Sequence, residues 1–87
     1  RADREQLYTL FDAVAGCMCF RSDANFVLVR IPSKQAQPLT EYLKSHGIVV
    51  KMFSEDEFRD CVRITLGTQD QNQKLFRAIR SFFFSPS

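Results

Sequence analysis

A chain of 87 residues makes one small domain, with no room for a second. A formal charge of +2 is too weak to argue for a nucleic-acid partner or an anionic membrane surface, and no run of about 18 apolar residues exists to span a bilayer. Nine phenylalanines supply large side chains to bury, so an ordinary packed core is expected.

The cysteine count is three, an odd number. Cys17 and Cys19 are two apart and would share one face of a strand, which favours reduced, buried thiols in a reducing compartment. The only histidine is His46 and no CxxC pair exists, so the ligand spacings of a metal site are missing. Nothing local supports a Cys–His catalytic couple.

In chain order, the pattern predicts a helix from Asp3 to about Ala15. Asp3 is its expected cap with Gln6 completing a box, and Leu7, Leu10, Phe11 and Val14 fall on one face. Gly16 ends it. Cys17 to Phe20 reads as a short strand, and Arg21-Ser22-Asp23-Ala24-Asn25 as a turn. Phe26 to Ile31 is apolar on both faces until Arg30, the pattern of a central strand, and Pro32 stops it. Ser33 to Gln37 is a loop. Pro38 suits the first turn of a helix that runs to about Ser45 and turns Leu39, Tyr42 and Leu43 inward. His46 is a helix-end residue and Gly47 its C-terminal cap.

Ile48 to Phe53 is expected as the third strand, and Ser54 to Arg59 as an acidic loop with one helical turn. A fourth strand follows, in which Val62, Ile64 and Leu66 alternate with Cys61, Arg63 and Thr65. Gly67 breaks it, and Thr68 with Gln71 forms the signature of a capping box. The last helix runs from Thr68 to about Phe83 on a stripe of Leu75, Phe76, Ile79, Phe82 and Phe83, and the tail Ser85-Pro86-Ser87 does not continue it. The expected fold is α+β, in the order α-β-β-α-β-β-α: a small, mostly antiparallel sheet of about four strands with helices packed on one face.

The chemistry in these residues is sparse. The three glycines are isolated, so no phosphate loop exists, and no Ser/His/Asp arrangement can be placed. Two cations remain. Arg63 points away from the face of Val62 and Ile64, and Lys51 away from that of Val50 and Met52. If their strands pair, the two could share a face and meet an anionic ligand. Periodicity alone leaves the plainer reading equally open: two unrelated surface cations, with Arg63 snorkelling or paired on a half-exposed sheet.

Three segments, taken together, resemble a known family. Ser22-Asp23-Ala24-Asn25-Phe26, His46-Gly47-Ile48-Val49-Val50-Lys51 and Cys61-Val62-Arg63-Ile64-Thr65-Leu66-Gly67-Thr68 look like the family pattern "S-x-A-N-F", "G-I-x-V-R" and "C-L-R-I-T-x-G-T" of the C-terminal small domain of histidinol-phosphate aminotransferase. The arginine-containing segment is the most specific of the three, and the resemblance covers essentially the whole chain. It implies a fold-type I, pyridoxal-phosphate enzyme that moves an amino group between histidinol phosphate and 2-oxoglutarate. By position, the arginine that grips the acidic end of the substrate falls on Arg63. A second family cation, usually arginine, falls on Lys51, where lysine lacks the bidentate fork.

The cofactor lysine, the aspartate on the pyridine nitrogen and the phosphate cup belong to the large domain in that family and have no matching motif here. The resemblance therefore implies no catalytic residue in these 87 and no activity of this chain alone. Arg1 to Gln6 reads as the middle of a longer helix, so an excised domain is expected. The resemblance also implies a cytoplasmic homodimer for the whole enzyme. Related enzymes with similar small domains, threonine-phosphate decarboxylase and aromatic aminotransferases, remain alternatives. So does a small-molecule-binding regulatory module with a ferredoxin-like sheet, which the strand and helix count permits.

Overall fold

The structure is a computed structural model that describes residues 2–21, 24–32 and 34–84. Ser22 and Asp23 of the expected turn, Ser33 of the expected loop, and the tail Ser85-Pro86-Ser87 lie outside the described residues. The first helix, α1, spans Ala2–Asp12 and buries Leu7, Tyr8, Leu10 and Phe11. It stops short of Ala15: the N–H groups of Ala13 and Val14 bond three residues back, to Leu10 and Phe11, and tighten the last turn. Val14 is therefore only half-buried, and Tyr8 completes the apolar stripe instead. Asp3 lies inside the helix rather than at its cap; its carboxylate accepts a 2.7 Å hydrogen bond from Asn72.

The sheet holds β1 (Met18–Phe20), β2 (Phe26–Arg30), β3 (Lys51–Met52) and β4 (Cys61–Thr65), in the spatial order β1-β2-β4-β3. All three pairings are antiparallel. The central position expected for the second strand is the observed one. Val27 faces Ile64 and Val29 faces Val62, and all four are buried against the helices. One further bond, from Ile31 N–H to Asp60 carbonyl at 2.8 Å, extends this ladder at one end; Leu66 N–H to Asn25 carbonyl at 2.8 Å extends it at the other.

The third strand is much shorter than Ile48 to Phe53. Ile48 spends its N–H on the carbonyl of Leu43, at the end of the preceding helix, and Val49 is 83% exposed. A chain still closing a helix cannot also join a ladder. A short 3-10 turn at Asp56–Phe58 supplies the helical turn expected between β3 and β4.

Helix α2 (Ala36–Ser45) buries Leu39 and Leu43 and half-buries Tyr42. It begins two residues before Pro38, which still lies in the first turn. Gly47 follows it at a φ of +78°, the left-handed conformation that a helix-ending turn uses. Helix α3 (Gln69–Phe84) buries Leu75, Phe76 and Ile79, with Phe82 and Phe83 packed beside them. Its start is the expected capping box: Gln71 N–H donates to the Thr68 hydroxyl at 3.2 Å, and Thr68 N–H donates to the Gln71 carboxamide at 2.9 Å. Among the described residues, no helix is long and apolar enough to cross a membrane.

Asn72 is the buried polar residue at this junction. Its Oδ1 accepts from Gly67 N–H at 2.8 Å, while its Nδ2 donates to Asp3 and to the Gly67 carbonyl. One side chain thereby ties α1 to the turn that ends β4. Cutting it back strands a backbone N–H, so Asn72→Ala should cost about 1–3 kcal/mol in urea unfolding. Arg77→Ala, on the exposed side of the same helix, should stay within about 0.5 kcal/mol.

The three thiols are free; Cys61 is buried, and Cys17 and Cys19 are half-buried. Burial raises the pKa of Cys17 to about 11. Cys19 is pushed up to about 12, by burial first and then by Asp12. Both are thus neutral thiols near pH 8, and the thiolate is the reactive form. Alkylation of the folded protein should be slow there and should keep rising to about pH 11, whereas urea-unfolded chain should level off near the ordinary thiol value of 9.0. A folded-state rate that levels off at that lower pH would contradict the burial argument.

Candidate anion-binding face of the sheet

Alternation sends the core residues of β2 and β4 to the helix side and leaves the opposite face to Phe26, Leu28, Arg30, Cys61 and Arg63. Arg63 lies directly across from Leu28 on one side and directly across from Lys51 on the other. The strands that had to pair do pair, and both predicted cations stand on one face at adjacent register positions. Lys51 is exposed and Arg63 is half-buried.

Like charges directly opposite in an antiparallel pair repel and destabilise the ladder. A nearby acid would relieve that, yet among the described residues no carboxylate lies within 4.0 Å of Lys51 or Arg63. Arg30, two positions further along the same face, shows the contrast. Its Nη1 donates to Asp60 at 2.6 Å, and its Nη2 reaches the Glu57 carbonyl at 3.5 Å. Arg30 is thus neutralised, whereas among the described residues no acid meets Lys51 or Arg63.

Aromatic rings stand beside each of these cations. The Arg63 Cζ is 5.5 Å from the centre of the Phe26 ring, and the Lys51 Nζ is 5.9 Å from that of Phe53, which itself packs on Phe58. Arg30 lies 5.8 Å from the Phe20 ring. These distances fall within the range over which a ring face attracts a cation. The Nε of Arg63 is buried, with no hydrogen-bond partner among the described residues. Sequence reasoning placed both cations but missed these rings. The available signal was parity: Phe26 shares the face of Leu28 and Arg30, but only the β2–β4 register puts it diagonal to Arg63.

Cys61 lies on the open face, yet it is fully buried. Its register partner Arg30 and the adjoining Asp60 form an ion pair on that face. Burial raises the Cys61 thiol pKa, while the Arg30 charge opposes that shift. Beside it, a groove of about 710 Å³ is lined by Arg30, Lys34, Asp56, Glu57, Arg59 and Asp60. Its charges are largely balanced internally, since Arg30 pairs with Asp60 and Arg59 with Asp56. It lacks the unneutralised positive pair of the sheet face.

The donor set does not fit a resident pyridoxal phosphate. Lys34, Lys44, Lys51 and Lys74 are all exposed, and none lies in an enclosed pocket. At the turn into α3, the N–H groups of Gly67, Thr68 and Gln71 are taken by Asn72, Gln71 and Thr68 side chains respectively. Among the described residues no group of three metal-binding side chains exists. The contacts of His46 are local, to Tyr42 and Ser45, and include no thiol.

Residues 1–79 match the family described as aminotransferase class I and II. The histidinol-phosphate aminotransferase of Chromobacterium violaceum is 39% identical over 85 residues, which is 95% of this chain and 23% of that enzyme. That of Acinetobacter baylyi is 35% identical over 79 residues, or 91% of this chain and 22% of the relative. The chain thus spans under a quarter of the length of these curated relatives.

Among solved structures, the L-threonine-O-3-phosphate decarboxylase of Porphyromonas gingivalis superposes with a TM-score of 0.71 at 26% identity, covering 93% of this chain and 26% of that one. A decarboxylase from Sulfurospirillum multivorans shares the fold, with a TM-score of 0.75 at 22% identity over 94% of this chain and 24% of that one. With its family match running through nearly all of its elements, this chain belongs to the aminotransferase class I and II family.

Proposed function

We propose that these 87 residues form the C-terminal small domain of a pyridoxal-phosphate-dependent aminotransferase that works on histidinol phosphate and 2-oxoglutarate. In this reading the domain contributes a substrate-anion site and no catalytic residue. Arg63 grips the acidic end of the substrate, and Lys51 adds a second positive charge beside it. The observation that carries the reading is the pair itself: two cations at directly opposed register positions, with no carboxylate to neutralise either among the described residues. An incoming carboxylate or phosphate would remove the repulsion that the ladder otherwise carries.

The curated relatives named above support the choice of substrate by their names. The cofactor is held by residues outside these 87, consistent with a donor set here that does not fit it. When bound, pyridoxal phosphate supplies the electron sink for amino-group transfer. The domain's part is to fix the substrate's anionic end. The whole enzyme is a homodimer of the cytoplasm in this reading. A second reading, a threonine-phosphate decarboxylase, draws support from the name of the solved Porphyromonas gingivalis enzyme; in that reading too Arg63 and Lys51 would meet the substrate's anionic group.

Arg63→Ala in the full-length enzyme should lower kcat/KM by about 10²–10³, the loss expected for a charge-assisted contact from a preorganised arginine. Lys51→Ala should cost less, about tenfold, because an exposed ammonium offers a point charge without a fork. Steady-state kinetics with both substrates checks each. Unchanged kinetics in Arg63→Ala would remove Arg63 from the site, and a larger loss at Lys51 would reverse the ranking of the two. Activity with threonine phosphate but none with histidinol phosphate would select the decarboxylase reading.

A further inference from the structure

The Arg63 guanidinium must hold one orientation if it is to meet a planar anion, because a long arginine side chain otherwise spreads over many rotamers. Proteins commonly fix an arginine with a carboxylate, as Asp60 fixes Arg30 here. A carboxylate on Arg63 would occupy the same fork that the ligand needs. A different restraint is present. The Phe26 ring lies 5.5 Å from the Arg63 Cζ, and the guanidinium's own Nε is buried with no hydrogen-bond partner among the described residues. A ring face attracts the guanidinium without consuming an N–H donor. It also offers a weak π acceptor surface beside a buried N–H that lacks an oxygen.

The ring is itself held. Phe26 sits on β2 across from Thr65, one diagonal step from Arg63. The residue before it, Asn25, accepts the 2.8 Å bond from Leu66 N–H that extends the ladder beyond Thr65. The backbone under the ring is thereby locked to the strand that carries the arginine. The result is an arginine oriented from below and left open at its Nη groups.

We propose that Phe26 is the positioning residue of the Arg63 anion site, orienting the guanidinium by its ring face so that both Nη groups stay free for a carboxylate. This rests on the reading of Arg63 given above. Phe26 touches the arginine and not the substrate, so its effect reaches the reaction only through Arg63.

The test uses the full-length holoenzyme, with 2-oxoglutarate as the varied anion and thermal unfolding recorded alongside. Phe26→Leu and Phe26→Met remove the ring but keep an apolar side chain, and either serves if the other fails to accumulate. Each should raise the KM for 2-oxoglutarate about tenfold while kcat changes less than about threefold. Phe26→Tyr keeps the ring and should bring KM back to within about threefold of the wild-type value. In an Arg63→Ala background, Phe26→Leu should add nothing, since the arginine it orients is gone.

A KM within about threefold of wild type in both ring-less variants overturns the proposal, and so does a loss confined to kcat. A Phe26→Leu penalty that persists in full without Arg63 also overturns it, by showing a structural role. These outcomes are separate from failure of the underlying reading. If Arg63→Ala leaves KM unchanged, Arg63 is not the anion receptor at all. If Arg63→Ala is costly and the Phe26 variants are silent, only the role of Phe26 falls.

Discussion

Everything at the open face of this sheet depends on one pairing, the antiparallel ladder between β2 and β4. It sets Val27 against Ile64 and Val29 against Val62 on the buried side. Because strand side chains alternate, the same register fixes what stands on the other side: Leu28 beside Arg63, and Phe26 one diagonal step away. A slip of one residue would send Arg63 into the core and bring Val62 out. The burial of four β-branched side chains therefore specifies the address of the arginine, even though none of the four touches it on that face. The ends of the ladder are pinned as well, by Ile31 to Asp60 and by Leu66 to Asn25.

The face so built carries an electrostatic imbalance. Arg30, Lys51 and Arg63 all project from it, and each has an aromatic ring near it. Among the described residues, only Arg30 also has a carboxylate. An arginine held by an acid stabilises the fold locally and is spent; an arginine held by a ring keeps its donors. The like-charge pair at Lys51 and Arg63 makes the ladder less favourable in isolation, a cost that an anionic ligand reverses. The chain belongs to the aminotransferase class I and II family and spans under a quarter of the length of its curated relatives.

Much of this was legible in the residues themselves, and the exceptions have physical causes. The alternation of Val62 and Ile64 gave the orientation of Arg63, and the spacing of Thr68 and Gln71 gave a capping box whose two bonds are both present. Those signals are local. The misreadings come from contacts between distant segments. Asp3 was expected to cap its own helix, but Asn72 claims its carboxylate from 69 positions away. Ile48 to Val50 looked like strand because they are apolar, yet the end of α2 takes the N–H of Ile48. Alternation puts Cys61 on the open face, where it is nonetheless fully buried beside the Arg30–Asp60 pair. The ring beneath Arg63 follows from inter-strand register, which a period-two pattern does not contain.

The most direct test of the account is a crystal structure of the full-length enzyme with pyridoxal phosphate and a bound dicarboxylate substrate or unreactive analogue. The account predicts a substrate carboxylate about 2.7–3.2 Å from the Nη atoms of Arg63, with Lys51 on its flank and the Phe26 ring beneath the guanidinium. A carboxylate bound elsewhere, with Arg63 paired to an acid from another part of the enzyme, would contradict it.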